Sequence, residues 1–241
     1  MARIVKVAIS VPTEGHTVPE ALDSLMLLCM RLSQLSTESK LLKKETQFEF
    51  YFQSMGRLFT AMAREKLAES AIKHKMDYML FLDDDMVIPC DTFEKLFRHE
   101  KDIVAALAFT RNTPHDPVIY QCEEGFENGR EYFINRPVIN YPKNQLMQCD
   151  AVGFGAVLIK VSVYEKMTAP YFMSTSPTGE DILFCYSAGK TGAKVFVDTS
   201  AKVGHIGSPK IVTEQTFEEH HKDRKIKKGP YVPKDEYETA K

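Results

Sequence analysis

The chain has 241 residues, 44% of them hydrophobic and 27% charged, with a formal net charge of −2; that is one large domain or two small ones, with no global charge to argue for a nucleic-acid or membrane partner. No apolar stretch approaches the roughly 18–20 residues of a membrane span, and the N-terminus runs straight into a strand pattern rather than a signal peptide, so a cytoplasmic protein is expected. The five cysteines, Cys29, Cys90, Cys122, Cys149 and Cys185, are odd in number and lack CxxC spacing, which suits reduced thiols and argues against a zinc site.

Ile4 to Val11 is apolar and rich in β-branched residues, and is expected to form the first strand. It ends in the polar turn Pro12-Thr13-Glu14-Gly15-His16. Pro19 then sits where a first helical turn tolerates proline, and Leu22, Leu25, Met26 and Cys29 follow at helical spacing. Ser36 to Glu45 is polar and reads as a connection. Phe48, Phe50 and Phe52 alternate with polar neighbours at strand period. Met55, Leu58, Phe59 and Met62 predict a second helix, continued by Ala68, Ala71 and Ile72, with Arg57 and Arg64 on one side of it.

The next apolar run, Met79-Leu80-Phe81-Leu82, ends in three consecutive carboxylates, Asp83, Asp84 and Asp85. A buried strand is expected there, with the acids at its C-terminal end, the edge where open α/β sheets bind ligands. Three adjacent like charges repel, and a hard divalent cation such as Mg2+ or Mn2+ would relieve them. A solvated acidic turn before the next helix is the alternative, and these residues alone leave both open. Asp91-Thr92-Phe93-Glu94 has capping-box spacing and predicts a short helix to about His99. Asp102 to Phe109 reads as a fourth strand. The alternation of strands and helices argues for a parallel sheet with right-handed crossovers, while the absence of GxGxxG and of a P-loop disfavours dinucleotide and P-loop folds.

The second half is less regular. Arg111 to Pro117 reads as a loop. Strand-like pieces are expected around Val118–Cys122, Glu131–Ile134, Leu146–Asp150 and Val157–Ile159, with the glycine loop Gly153-Phe154-Gly155 before the last of these. Glycines there permit close approach of a ligand or of another chain segment. Val161 to Met167 could form one or two helical turns. Glu180-Asp181 begins a helix ending near Gly189, Lys194 to Val197 reads as a strand ending at Asp198, and His205 follows between apolar neighbours. Thr213 to His221 reads as helical, followed by the basic run Lys222, Arg224, Lys225, Lys227 and Lys228 and a tail. The expected division is a domain over 1–208, in halves 1–110 and 111–208, then a tail over 209–241.

Taken together, these features resemble GT-A-type glycosyltransferases, close to the large family 2 group. The resemblance rests on a strand into Pro12-Thr13, on Ala63-Arg64 in the helix before the acidic strand, on Asp83-Asp84-Asp85 as a D-x-D motif, and on Gly179-Glu180-Asp181 followed by His205. It implies an α/β GT-A fold: a mostly parallel central sheet flanked by helices, with a smaller mixed β region on the acceptor side. It also implies a metal-dependent hexosyl transfer from a UDP- or GDP-sugar to a hydroxyl acceptor of unknown class. In that reading Asp85 and His205 bind Mn2+ or Mg2+, and Asp83 serves the metal or the ribose. Pro12, Thr13, Glu14, Gln53, Arg64 and Asp84 line the nucleotide pocket. Gly153 and Gly155 border the donor sugar. Asp181, with Glu180 beside it, is the general base of an inverting displacement. Gln53 stands where many family members carry an acid, which leaves the base open. A nucleic-acid or membrane-surface acceptor has only the basic run behind it. A sugar-1-phosphate nucleotidyltransferase would need a glycine-rich, arginine-bearing loop that Ser10 to Gly15 lacks, and an aspartyl phosphohydrolase a hydroxyl residue after Asp85 that is missing. A non-catalytic nucleotide-sugar-binding module is the remaining alternative.

Overall fold

The structure is a computed structural model, and it describes residues 2–15, 17–42, 45–127, 130–175, 178–207 and 211–222. In chain order the elements are β1 (Arg3–Thr13), α1 (Pro19–Leu41), β2 (Thr46–Gly56), α2 (Thr60–Lys73), β3 (Tyr78–Leu82), β4 (Met86–Val87), α3 (Thr92–Phe97), β5 (Ile103–Leu107), β6 (Ile119–Glu127), β7 (Arg130–Pro137), β8 (Leu146–Cys149), β9 (Ala151–Val152), β10 (Ala156–Lys160), a 3-10 helix (Val161–Lys166), α4 (Glu180–Lys190), β11 (Val195–Lys202), β12 (Gly204–Ile206), β13 (Ile211–Val212) and α5 (Glu214–His221).

Seven strands form the central sheet in the order β2-β1-β3-β10-β5-β11-β8. β2, β1, β3, β5 and β11 share one direction, while β10 and β8 oppose it. The central strands are apolar on both sides because helices cover both faces. Met79 and Phe81 of β3 pack with Leu67, Ala68 and Ala71 of α2 and with Ile182, Phe184 and Ala188 of α4. Tyr78, Leu80 and Leu82 point the other way, into Leu28, Leu32 and Leu35 of α1 and Phe93 and Leu96 of α3. Burying these runs supplies the main driving force, about 25 cal/mol per Å² of apolar surface.

Several expectations are corrected. β10 runs antiparallel between β3 and β5, so these two strands are not neighbours. On α1 the buried face is Ala21, Ser24, Leu28, Leu32 and Leu35, while Leu22 and Met26 are 46% and 57% exposed. Ser24 can sit inside because its hydroxyl accepts the Ile88 N–H at 3.1 Å and lies within hydrogen-bond distance of the Ala21 and Met86 carbonyls. The helix also runs on through Ser36. The Ser36 hydroxyl donates to the Phe48 carbonyl, and Ser39 accepts the Phe48 N–H, so polar residues stitch α1 to β2. Met55 belongs to β2, and α2 begins only at Thr60. Arg57, at φ 62°, lies before that helix and shares no face with Arg64. No side-chain cap forms at Asp91; Glu94 is taken by Arg31 at 2.7 Å and Asp91 by Lys95. β11 continues past Asp198 to Lys202 through an irregularity in its pairing with β5. The buried Asp198 carboxylate, although desolvation raises it, is held down to about 2 by Ser200, His99 and Arg98.

Two small sheets complete the architecture. β6 pairs with β7 and β9, a longer hairpin than the sequence suggested, and β4 pairs with β12, which pairs with β13. Residues 211–222 return to the body of the protein: Val212 and Phe217 are buried, and Phe217 stacks on Phe109 at 5.2 Å. Arg224 to Lys228 and the rest of the expected tail lie outside the described residues.

Candidate active site

The site lies at the C-terminal edge of the sheet, because the apolar run of β3 stops at Leu82 and the next three residues are acids. Since β10 is antiparallel, Gly155, the residue just before it, reaches the same edge, and its carbonyl accepts the Asp83 N–H at 3.1 Å. The β4–β12 pairing sets His205 opposite Met86, and the Ile206 N–H donates to the Asp85 carbonyl at 2.9 Å. Backbone pairing therefore fixes the distance between Asp85 and His205, which lie 120 residues apart.

His205 Nε2 lies 3.1 Å from Asp85 Oδ2, and His205 Nδ1 lies 2.8 Å from the Phe109 carbonyl. A carbonyl can only accept, so the Nδ1 position carries a proton. In a neutral imidazole the Nε2 lone pair would then face a carboxylate lone pair. A cation must lie between them: a proton on Nε2, or a metal. The electrostatics agree. Desolvation alone would raise the Asp85 carboxyl and lower the imidazole. The His205 hydrogen bond and charge, helped by Arg111, take Asp85 below its usual range, and Asp85 takes His205 above its own.

Arg64 organises the other half of the site. It is 3% exposed, its Nη2 donates to Asp83 Oδ1 at 2.7 Å, and its Nη1 donates to Glu180 Oε1. Its guanidinium lies 5.2 Å from the ring centre of Phe154. Glu180 and Asp181 are the first residues of α4, where exposed amides favour negative charge. Asp181 Oδ1 accepts its neighbour Ile182 N–H at 2.8 Å. Burial is the largest influence on the Asp181 carboxyl and pushes it up to about 6, with Glu180 adding to the rise and Arg64 opposing it. Asp83 is also raised, by desolvation against the pull of Arg64.

Asp83, Asp84, Asp85, Glu180 and Asp181 set five carboxylates against the two guanidinium groups of Arg64 and Arg111. Asp84 Oδ2 is buried without a hydrogen-bond partner. Among the described residues no three His, Cys, Asp or Glu side chains converge to form a complete cage. The Asp85–His205 pair, an excess of negative charge and the orphaned Asp84 oxygen would suit a hard divalent cation whose other ligands come from elsewhere.

The other expected residues fall around this edge. Pro12 and Thr13 end β1, Glu14 is exposed beside them, and the Thr13 hydroxyl accepts the Gly15 N–H at 3.0 Å. Gln53 is set back: it pairs with Ser10, and its amide nitrogen lies 2.9 Å from the Ser10 hydroxyl and 3.0 Å from the Leu67 carbonyl. Gly153 and Gly155 are buried. A Cβ on Gly153 would meet Val118 at 2.9 Å, and one on Gly155 would meet the end of Met86 at 2.8 Å, so close packing already accounts for both glycines.

Sequence reasoning missed Arg111, Phe154 and Tyr120. Arg111 follows the end of the fourth strand, where a cation could have been noticed; Phe154 was visible only as the residue between two glycines. Tyr120 is raised to about 12, mainly by burial and further by the charges of Asp181 and Asp116. A shallow cavity lined by Arg3, Asp77, Lys160 and Glu165 shares no residue with this site.

No protein-family model matches the chain, and no curated protein matches its sequence. Solved structures do match its backbone. A197 from STIV matches with a TM-score of 0.52 at 18% identity, over 84% of this chain and 86% of that one. GalNAc-T7, crystallised with UDP, GalNAc and Mn2+, matches with a TM-score of 0.52 at 12% identity, over 84% of this chain and 44% of that one. The chain thus spans less than half of that structure. The catalytic domain of Drosophila beta1,4galactosyltransferase 7, in complex with xylobiose, reaches a TM-score of 0.47 at 15% identity, over 84% and 71% of the two chains, too distant to bear on the fold. At these identities the likeness is one of fold. The α/β GT-A arrangement expected from the sequence is the fold that the chain adopts.

Proposed function

We propose that the protein is a divalent-metal-dependent glycosyltransferase that moves a sugar from a nucleoside-diphosphate donor to a hydroxyl acceptor, with inversion at the anomeric carbon. One observation carries the reading. Two acid centres share a sheet edge, Asp85 with His205 and Asp181 with Glu180, joined through the buried Arg64 and Asp83. The reaction needs that division, because one carboxylate cannot easily serve both as metal ligand and as base. GalNAc-T7, which shares the fold, was crystallised with UDP, GalNAc and Mn2+, and this supports the same class of donor and ion here.

In this reading Asp85 and His205 hold Mn2+ or Mg2+, with Asp84 or Asp83 reaching its waters or the ribose. The ion would supply Lewis-acid stabilisation of the charge that develops on the diphosphate. Pro12, Thr13 and Glu14 line the base and ribose. Gln53, set back and held through its amide nitrogen by Ser10 and Leu67, leaves the choice of base open. Gly153 and Gly155, packed on Val118 and Met86, would border the donor-sugar side of the site. The acceptor oxygen attacks the anomeric carbon, its proton passes to Asp181, and the bond to the diphosphate oxygen breaks with its electron pair on the nucleoside diphosphate. Asp181, pushed up to about 6 by burial, is a stronger base than an exposed carboxylate yet ionised at neutral pH. Arg64 stabilises that ionised form.

The test is thermal unfolding against UDP- and GDP-sugars with and without Mn2+. A ligand that binds only the native state raises its stability by about 2.7 kcal/mol at a hundred times its Kd. The expected result is a shift that requires nucleotide and Mn2+ together. No shift with any nucleotide sugar would overturn the reading.

A further inference from the structure

Asp85 Oδ2 has a second cation beside it. Arg111 Nη2 lies 3.3 Å from the same oxygen that His205 faces. Arg111 stands on a loop whose base is well tied. The Thr110 N–H donates to the Asp116 carbonyl at 2.9 Å, the His115 N–H to the Asn112 carbonyl at 2.9 Å, and the Thr110 hydroxyl to the Asn112 carbonyl at 3.1 Å. Phe109, two residues earlier, holds the His205 ring through its carbonyl. The arm lies half in solvent: the Arg111 side chain is 56% exposed, and among the described residues its ion-pair partner is Asp85. A fixed base and a long, exposed arm place a guanidinium beside Asp85 without burying it.

Asp85 Oδ2 already faces the His205 ring and Arg111 together, and a divalent ion added to that oxygen would repel a guanidinium 3.3 Å away. A divalent ion on Asp85 therefore weakens that carboxylate's hold on Arg111. The diphosphate that arrives with that ion carries the charge Arg111 has lost, and a guanidinium forks onto phosphate oxygens in bidentate fashion. Resting on the proposed function, we propose that Arg111 is a transferable counter-charge: it neutralises Asp85 in the cation-free site and moves to the donor's diphosphate when the site is loaded. It is a binding residue for the diphosphate and a competitor of the metal, and these two roles have opposite signs.

The opposite signs make the test. Calorimetric titration is run on the wild-type protein, R111Q and R111K with two probes: Mn2+ alone, and UDP or GDP in saturating Mn2+. R111Q is expected to bind Mn2+ alone several-fold more tightly, because its competitor is gone. It is expected to bind the nucleoside diphosphate at least about tenfold more weakly, the loss of one charge-assisted hydrogen bond. R111K keeps the charge without the fork and should fall between in both titrations. An exposed loop arginine leaves the fold intact, and an unchanged unfolding midpoint checks this. Wild-type binding with R111Q unchanged, or with both affinities moved in the same direction, overturns the inference alone. Failure of the wild-type protein to bind Mn2+ or either nucleotide overturns the proposed function and this inference with it.

Discussion

His205 faces Asp85 across 3.1 Å with its Nδ1 committed to the Phe109 carbonyl, so the nitrogen turned toward the carboxylate is the one able to bind a metal. Nothing local sets up this encounter. The strand pairing of β4 with β12 creates it, and the apolar β3 delivers Asp85 to that pairing.

Arg64 should matter as much for folding as for chemistry. Replacing it with methionine leaves the partly buried Asp83 and Glu180 without their shared cation. Breaking a buried pair from one side costs about 3–5 kcal/mol. Urea denaturation at neutral pH should show a loss in that range for R64M, and R64K should recover only part, because an ammonium cannot bridge two carboxylates as a fork does. A loss below about 1 kcal/mol would contradict the buried bridge.

Asp181 should separate activity from stability. D181N should lower turnover about 100- to 10,000-fold, the range for losing a positioned base. In the wild type, kcat/KM should fall as pH drops through about 6, as the base takes up its proton. The linkage has the unusual sign for an acid. The folded value is raised above the unfolded 3.8, so the fold favours the protonated form. That contribution is complete below the unfolded value and is lost as pH rises through about 6. D181N should therefore be as stable as the wild type or more so at pH 7. A variant both inactive and clearly destabilised at pH 7 would mark Asp181 as structural.

Gly204 tests whether strand pairing sets the metal ligands. A Cβ there would lie 2.6 Å from Ile211 Cγ2 on β13. G204A should cost about 1–3 kcal/mol by overpacking and weaken Mn2+ binding by displacing His205. I211A in the same chain should restore much of both. Thermal unfolding and Mn2+ titration of the single and double variants read this directly; full Mn2+ affinity in G204A would refute it.

How much of this could be read from the sequence depended on range. The acid triplet after an apolar run, and Glu180-Asp181 at a helix start, are local patterns, and both stand at the expected elements. The partners of a strand are not local. Val157–Ile159 reads as a strand in either direction, and only the chain's return path makes β10 antiparallel between β3 and β5. The face of α1 was misjudged for a different reason. Ser24 is polar by composition but satisfied inside by Ile88, so the buried stripe runs through a residue that a hydrophobic pattern excludes. The Arg64 bridge was half visible: its helix was expected, but its link to Glu180, 116 residues later, was not. Arg111 and Asp85 belong to segments that no periodicity connects.

The central claim is that His205 Nε2 and Asp85 share a divalent cation that holds a nucleoside diphosphate. Pulsed electron paramagnetic resonance of Mn2+ with UDP or GDP measures it most directly, because a nitrogen ligand modulates the Mn2+ signal. The account predicts an imidazole nitrogen coupling in the wild-type ternary complex that disappears in H205A, with Mn2+ binding lost in D85N. Tight Mn2+ and nucleotide binding with no nitrogen coupling, or a coupling that survives H205A, would contradict it.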